Sequence, residues 1–354
     1  MPETWLYIRS KSIFGTGSLN RLGSLAAENG NRALIVAESS LSEYGTIERV
    51  REVLRNYQLK SIVYNEISST TTSSAVQEAA DLALSSKSQM IIGLGGVHAL
   101  SIAKSAAKTA GSGQDIDAIL SGEPAREGGL PYFEVSTTCR NPFQYTDQAF
   151  LVDGRNRRGT ICRLKLYPEA VITDPELALS LSPKFTATTL LDTLLLAIEG
   201  FISKKSSFFS DTLLVNVCKP LLFMMKSAVL EPKNIEYREM GAQFGYLTSL
   251  GLASSSYGLG SAMALVLGGR FSLPHSWIAS ILLPHILEWA DTVIPDRIFQ
   301  LVQSVQEDKL GSPLHNNDEL IDFTRYTVAS LRLPMRLHAL QIDFPKIAAC
   351  IPNI

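Results

Sequence analysis

A change of rhythm part-way along the chain restricts its fold more than any other feature. Up to about residue 163, short apolar runs alternate with segments of helical spacing. From Pro175 onward only long helical patterns remain. Residues 33–37 (ALIVA), 60–64, 89–93 and 131–137 read as strands. A helix is predicted over 46–57, where Ile47, Val50, Val53 and Leu54 share one face, a second over 74–84 with Thr71, Thr72 and Ser73 as candidate caps, and a third over 99–110. Strand and helix in this order make a parallel sheet with crossover helices. Residues 148–152 and 159–163 read as a hairpin, and the second half predicts helices over 184–203, 210–229, 234–252, 257–267, 275–290, 296–305 and 318–331. The expected architecture is an α/β, Rossmann-like domain over 1–173 and an all-helical domain over 174–354, with a small-molecule cleft between them.

At 354 residues and 45% hydrophobic, the chain can bury two cores. Its net charge of -2 and lack of any Lys/Arg run argue against a nucleic-acid partner or an anionic membrane surface. No uninterrupted apolar run nears the roughly 20 residues of a membrane span. The start lacks a positive-then-apolar leader pattern, so a cytoplasmic location is expected. Cys139, Cys162, Cys218 and Cys350 are scattered without C-x-x-C spacing and read as free thiols, not zinc ligands.

Six segments stand in order between about residues 13 and 290: FGTGSLNRLGSL, MIIGLGGVHALSIAKSAA, EVSTTC, VITDPELALSLSP, LLDTLLLAIEGF and LGSAMALVLGGRFSLPHSWIASILLPHILEWA. As a set they resemble the iron-containing alcohol dehydrogenase superfamily, and the last resembles maleylacetate reductases. The resemblance implies a dehydroquinate synthase-like fold, a dinucleotide site in the first domain, a metal and substrate site between the domains, and a homodimer or larger assembly.

The departures are as informative. That superfamily holds a divalent metal with one Asp and three His, and the resemblance carries these onto Asp192, Leu196, Ser261 and His275. A further His, often given a proton-relay role, matches Leu265. Two ligands of four remain, and two rarely hold a catalytic metal, so no catalytic metal is expected. Asp192 and His275 then read as an acid/base or orienting pair, or as buried hydrogen-bonded remnants.

After Gly93, also a candidate for the cofactor, two of the phosphate turn's three glycines stay, Gly95 and Gly96; β-branched Val97, which disfavours positive φ and would push its methyls towards the phosphate, replaces the third, and His98 replaces the Ser. The second cofactor loop reads Ser136-Thr137-Thr138-Cys139-Arg140-Asn141-Pro142-Phe143-Gln144, with both of its glycines lost to Arg140 and Pro142. Thr137, Thr138 and Glu38, whose carboxylate is placed for a ribose 2′-OH, complete the set available to NAD(P). Arg140 suits a substrate carboxylate or the vacant pyrophosphate position.

Leu196, Leu265, Val97, Phe143 and Leu190 replace His, Gly or Ser, and all are apolar. With Tyr257 and Trp277 they are expected to line a pocket for an apolar small molecule. The favoured expectation is a metal-free, cofactor-independent enzyme that cyclises or isomerises such a substrate, with His275, Asp192, Arg140 and Ser261 as its polar groups. The alternatives are a metal-independent NAD(P)H reductase of a carbonyl or enol acid, and a non-catalytic binding protein.

Overall fold

The alternation of the first half becomes a six-stranded parallel sheet. The computed structural model describes residues 7–67, 71–154, 158–304, 314–342 and 344–348. Its contacts divide the chain into one unit over Tyr7–Ser180 and a second from Leu181 onward. In the first, strands β1 (Lys11–Phe14), β2 (Arg32–Glu38), β3 (Lys60–Ile67), β4 (Met90–Gly95), β5 (Tyr132–Ser136) and β8 (Ala170–Thr173) lie in the order β1-β8-β5-β4-β2-β3. The strands β6 (Gln148–Val152) and β7 (Gly159–Arg163) pair antiparallel as expected.

The sheet is buried on both faces, as crossover helices require. Leu34, Val36, Ile91 and Tyr132 pack towards α4 (Ser73–Ser85) and α5 (Val97–Ser112). Ala33, Ile35, Ile92 and Phe133 pack towards α1 (Arg21–Ala27) and α3 (Thr46–Arg55). Two short helices, α2 (Ser40–Glu43) and α6 (Ile116–Leu120), complete the unit's helices. Thr72 caps α4 by accepting from the Ala75 amide.

Strands β1 and β8 were absent from the sequence reading. Each has four residues, too few for a period-two signal, and each forms only through pairing with a distant segment. The unit runs on past 173 because the following turn belongs to the sheet. The Asp174 carboxylate accepts from the Gly17 and Leu19 amides, Leu177 packs into the core, and Glu176 pairs with Arg49.

The second unit holds α7 (Pro183–Ile202), α8 (Phe208–Leu230), α9 (Ile235–Ala253), α10 (Leu259–Phe271), α11 (His275–Val293), α12 (Pro295–Gln303), α13 (Asn317–Ser330) and α14 (Phe344–Ala348). Helix α7 is central and packs against α8, α9, α10 and α11. The expectation of no span-length apolar stretch needs correction. Both α7 and α8 are long and apolar enough to cross a membrane, since occasional Thr, Ser or Asp residues break a run without lowering its average. In α7 the apolar character serves the fold, because 89% of its most apolar window is buried inside the protein.

Candidate active-site residues

In the helical unit, Asp192 and His275 come together. Asp192 sits mid-way along α7 and is almost fully buried. His275 is the first residue of α11, set by Pro274 before it. The imidazole Nε2 lies 2.9 Å from Asp192 Oδ2, off the line of a direct hydrogen bond. Around them the other inherited ligand positions cannot complete a metal shell. Leu196 and Leu265 each expose 2% and have no donor atom. Ser261 offers only a neutral hydroxyl, which faces the Glu199 carboxylate that its amide also meets at 3.1 and 3.3 Å. Among the described residues no three His, Cys, Asp or Glu side chains gather. A donor set of one carboxylate and one imidazole does not fit a resident catalytic metal.

Glu199 was not singled out from the sequence. It follows Asp192 by seven residues, so the two share a face of α7. It also accepts from the amides of Gly258 (3.0 Å) and Gly260 (2.6 Å), closing the N-terminus of α10 with an internal carboxylate. Burial raises its pKa, and the Ser261 side chain and the three amides oppose the rise. A Cβ on Gly260 would lie 2.9 Å from Glu199 Oε1 and 3.0 Å from Ile286, so only glycine allows this approach.

In the sheet unit, the order of strands switches direction at β2, which has β3 on one side and β4 on the other. Ligands of open α/β sheets bind beyond the strand ends at such a point. Here the end of β2 supplies Glu38, the end of β4 supplies Gly95 and Gly96, and the end of β5 supplies Ser136 to Thr138. Gly95 takes a φ of +143°, a conformation suited to glycine. The Gly96 amide donates to Glu38 Oε1 at 3.1 Å. A Cβ at Gly96 would meet Glu38 at 3.3 Å and Thr138 at 3.5 Å, so both side chains stand over the turn. Burial raises the Glu38 pKa against the Gly96 hydrogen bond.

Two expectations for this turn change. A β-branched Val97 in place of the turn's third glycine would be strained at a positive φ. The positive φ falls on Gly95 instead, and Val97 opens α5 as a buried residue. Gly93 lies inside β4, where a Cβ would come within 2.9 Å of Ala103 and the Tyr132 hydroxyl. It serves helix–sheet packing and cannot reach a phosphate. His98 is partly exposed in the first turn of α5.

The loop after β5 is anchored from beneath. Lys104 Nζ donates to the carbonyls of Phe143 (2.8 Å), Thr146 (3.1 Å) and Gln148 (3.2 Å). Asn141 Nδ2 donates to the Glu134 carboxylate, and Asn141 Oδ1 accepts from the Phe143 amide. Thr137, Arg140, Asn141, Phe143 and Gln144 are all buried, while Thr138 and Cys139 are partly exposed. Burial rules out a surface ion pair for Arg140. Lys104 and Glu134 were missed in the sequence, although a lone carboxylate inside the apolar run YFEVS is a visible signal.

Burial pushes the Glu134 pKa up to about 7, against the Lys104 charge and the hydrogen bonds from Tyr132 and Asn141. A carboxyl whose folded pKa is raised contributes stability below its unfolded pKa and loses it as pH rises through the folded value. The wild type is therefore expected to lose about 3 kcal/mol relative to Glu134→Gln between about pH 4.5 and 8. Urea midpoints of both proteins across that range check this, and parallel pH profiles would refute it.

The apolar replacements are all buried. Val97, Phe143, Leu190, Leu196 and Leu265 expose 2–4% each, because leucine, valine and phenylalanine fill the volume where they stand. Tyr257 and Trp277 have different surroundings. Tyr257 lines a pocket beside Glu199, and the Trp277 ring receives Lys184 Nζ at 4.6 Å. Cys139, Cys162 and Cys218 are free thiols as expected, and Cys350 lies outside the described residues.

Comparison with known proteins places these sites in context. Residues 9–175 match the family model "Iron-containing alcohol dehydrogenase", and residues 186–353 match "Fe-containing alcohol dehydrogenase family, C-terminal". Alcohol dehydrogenase 4 of Schizosaccharomyces pombe is 25% identical over 288 residues, 81% of this chain and 68% of its own. Two solved structures share the fold. An Oenococcus oeni alcohol dehydrogenase superposes with a TM-score of 0.90 at 21% identity, covering 99% of this chain and 93% of its own. Sulfoacetaldehyde reductase from Bifidobacterium kashiwanohense, solved with NAD+, gives 0.87 at 21% identity, covering 100% and 92%.

Proposed function

Because this chain belongs to the iron-containing alcohol dehydrogenase family, we propose that it is a nicotinamide-dependent reductase of a carbonyl substrate that works without a resident metal. One observation carries the reading. The glycine turn lies at the sheet's switch point, with Gly95 at positive φ and the side-chain-free Gly96 donating its amide to the Glu38 carboxylate.

These residues fit a dinucleotide. Gly95, Gly96 and the first turn of α5 would hold its phosphates, and Glu38 would take a ribose hydroxyl. A nicotinamide held there would supply hydride chemistry. This chain supplies the proton. His275 holds it at Nε2, which faces the buried Asp192 carboxylate 2.9 Å away. Transfer from Nε2 to the carbonyl oxygen gives the alcohol, and solvent reprotonates the partly exposed imidazole. Proton donation here replaces the charge stabilisation that a metal would provide.

The cofactor-independent cyclisation or isomerisation expected from the sequence has less support. The named relatives are oxidoreductases, and the replaced positions are packed rather than open. Titration of the protein with NADH and NADPH separates the two. NADH is expected to bind with a Kd in the micromolar range, roughly tenfold or more tighter than NADPH, because Glu38 repels a 2′-phosphate. Gly96→Val is expected to abolish binding of both. Absence of NADH binding to the wild type would remove the reductase reading and restore the non-redox one.

A further inference from the structure

We propose that the helical unit carries a separate binding site for an amphipathic monoanion, of the class of medium-chain carboxylates, at the start of α10. The site does not rest on the reductase reading. Ile202, Tyr257, Leu259, Ile286 and Trp289 wall a solvent-open pocket of about 290 Å³. That volume is at the small end of ligand pockets and suits one short chain better than a ring system the size of a nucleotide. Trp289 and Leu259 expose 57% and 59% of their surfaces, an unusual display of large apolar side chains next to a concavity.

The polar side of the pocket is cationic. Lys204 and Lys205 stand at its rim, both exposed, and neither side chain has an acidic partner among the described residues. The carboxylate in the wall, Glu199, is committed to the amides of Gly258, Gly260 and Ser261. It therefore closes the helix N-terminus to an outside anion and leaves the lysines as the available charge. The rim is also held in shape before any ligand arrives. Ser203 Oγ bonds Ser256 Oγ at 2.8 Å and accepts from the Lys205 amide, and Ser255 Oγ donates to the Gly200 carbonyl at 2.6 Å. An apolar slot with a cationic lip on a hydrogen-bonded backbone is complementary to an alkyl chain ending in a carboxylate.

Neither Asp192 nor His275 lines this pocket. Glu199 is seven residues from Asp192, about 10 Å along α7.

Decanoate is the probe, titrated into the full-length protein by calorimetry and by tryptophan emission, with decanol as the uncharged control. One decanoate per chain is expected to bind. The double variant Lys204→Glu/Lys205→Glu should weaken decanoate about tenfold or more while changing decanol less than about twofold. Trp289→Ala should weaken both. Both lysines are exposed, so an unchanged melting curve establishes that the charge-reversal variant is folded. No saturable decanoate binding to the wild type, or binding indifferent to both variants, would overturn the proposal. So would a self-association in sedimentation that Trp289→Ala abolishes, because a second copy would then be the occupant.

Discussion

Glu199→Ala is expected to destabilise the protein by about 4 kcal/mol or more. Three amides at the start of α10 donate to this one buried carboxylate, at 2.6 to 3.1 Å. Hydrogen bonds to a charged group contribute about 1.5–3 kcal/mol each, and an orphaned buried amide costs about 1–3. Water entering from the adjacent pocket would recover part of this, which sets the estimate below the full sum. Glu199→Gln is the informative companion. Its amide oxygen can replace one acceptor, but its NH2 group would face donors, so about half of the loss should remain. Denaturant midpoints for both variants check the order Ala worse than Gln worse than wild type. A change below about 1 kcal/mol in Glu199→Ala would show that α10 needs no internal cap.

The second large effect concerns chemistry. His275→Ala and Asp192→Asn are each expected to lower turnover of a carbonyl substrate by roughly 10²- to 10³-fold, the usual contribution of a positioned general acid. The two roles predict different signatures. His275→Ala removes the proton itself and should flatten the alkaline limb of the kcat profile. Asp192→Asn keeps the imidazole and removes the neighbouring negative charge, so the apparent pKa of that limb should fall. Both losses should appear in kcat more than in KM, because the proton is needed in the transition state. Normal rates in both folded variants would make the pair structural. Their single losses should not add, since both act on one proton.

Several features were legible because they depend on local pattern. The alternation in residues 33–112 became β2, α3, β3, α4, β4 and α5 within a few residues, because burial on both sides of a parallel sheet leaves short uninterrupted apolar runs. The pairing of Asp192 with His275 was also readable, since the motif positions kept their residue types. Other features were hidden. Four-residue β1 and β8 carry no periodicity; β8 forms between β5 and β1, and β1 forms only against β8. Gly93 looked like part of a phosphate turn, and only the 2.9 Å approach of Tyr132 shows that it is a packing residue.

By itself, then, the amino-acid order determined the two-part architecture, the loss of donor atoms at Leu196 and Leu265, and the surviving Gly95–Gly96 turn. These are statements about side-chain type and spacing along one chain. Tertiary structure alone decided where charge resides. It set Glu199 on the amides of a helix 59 residues away, Glu38 on Gly96 across neighbouring strands, and Lys104 beneath the loop after β5. A buried ionised group must find partners wherever the fold brings donors or acceptors, and that choice is made by contacts distant in sequence.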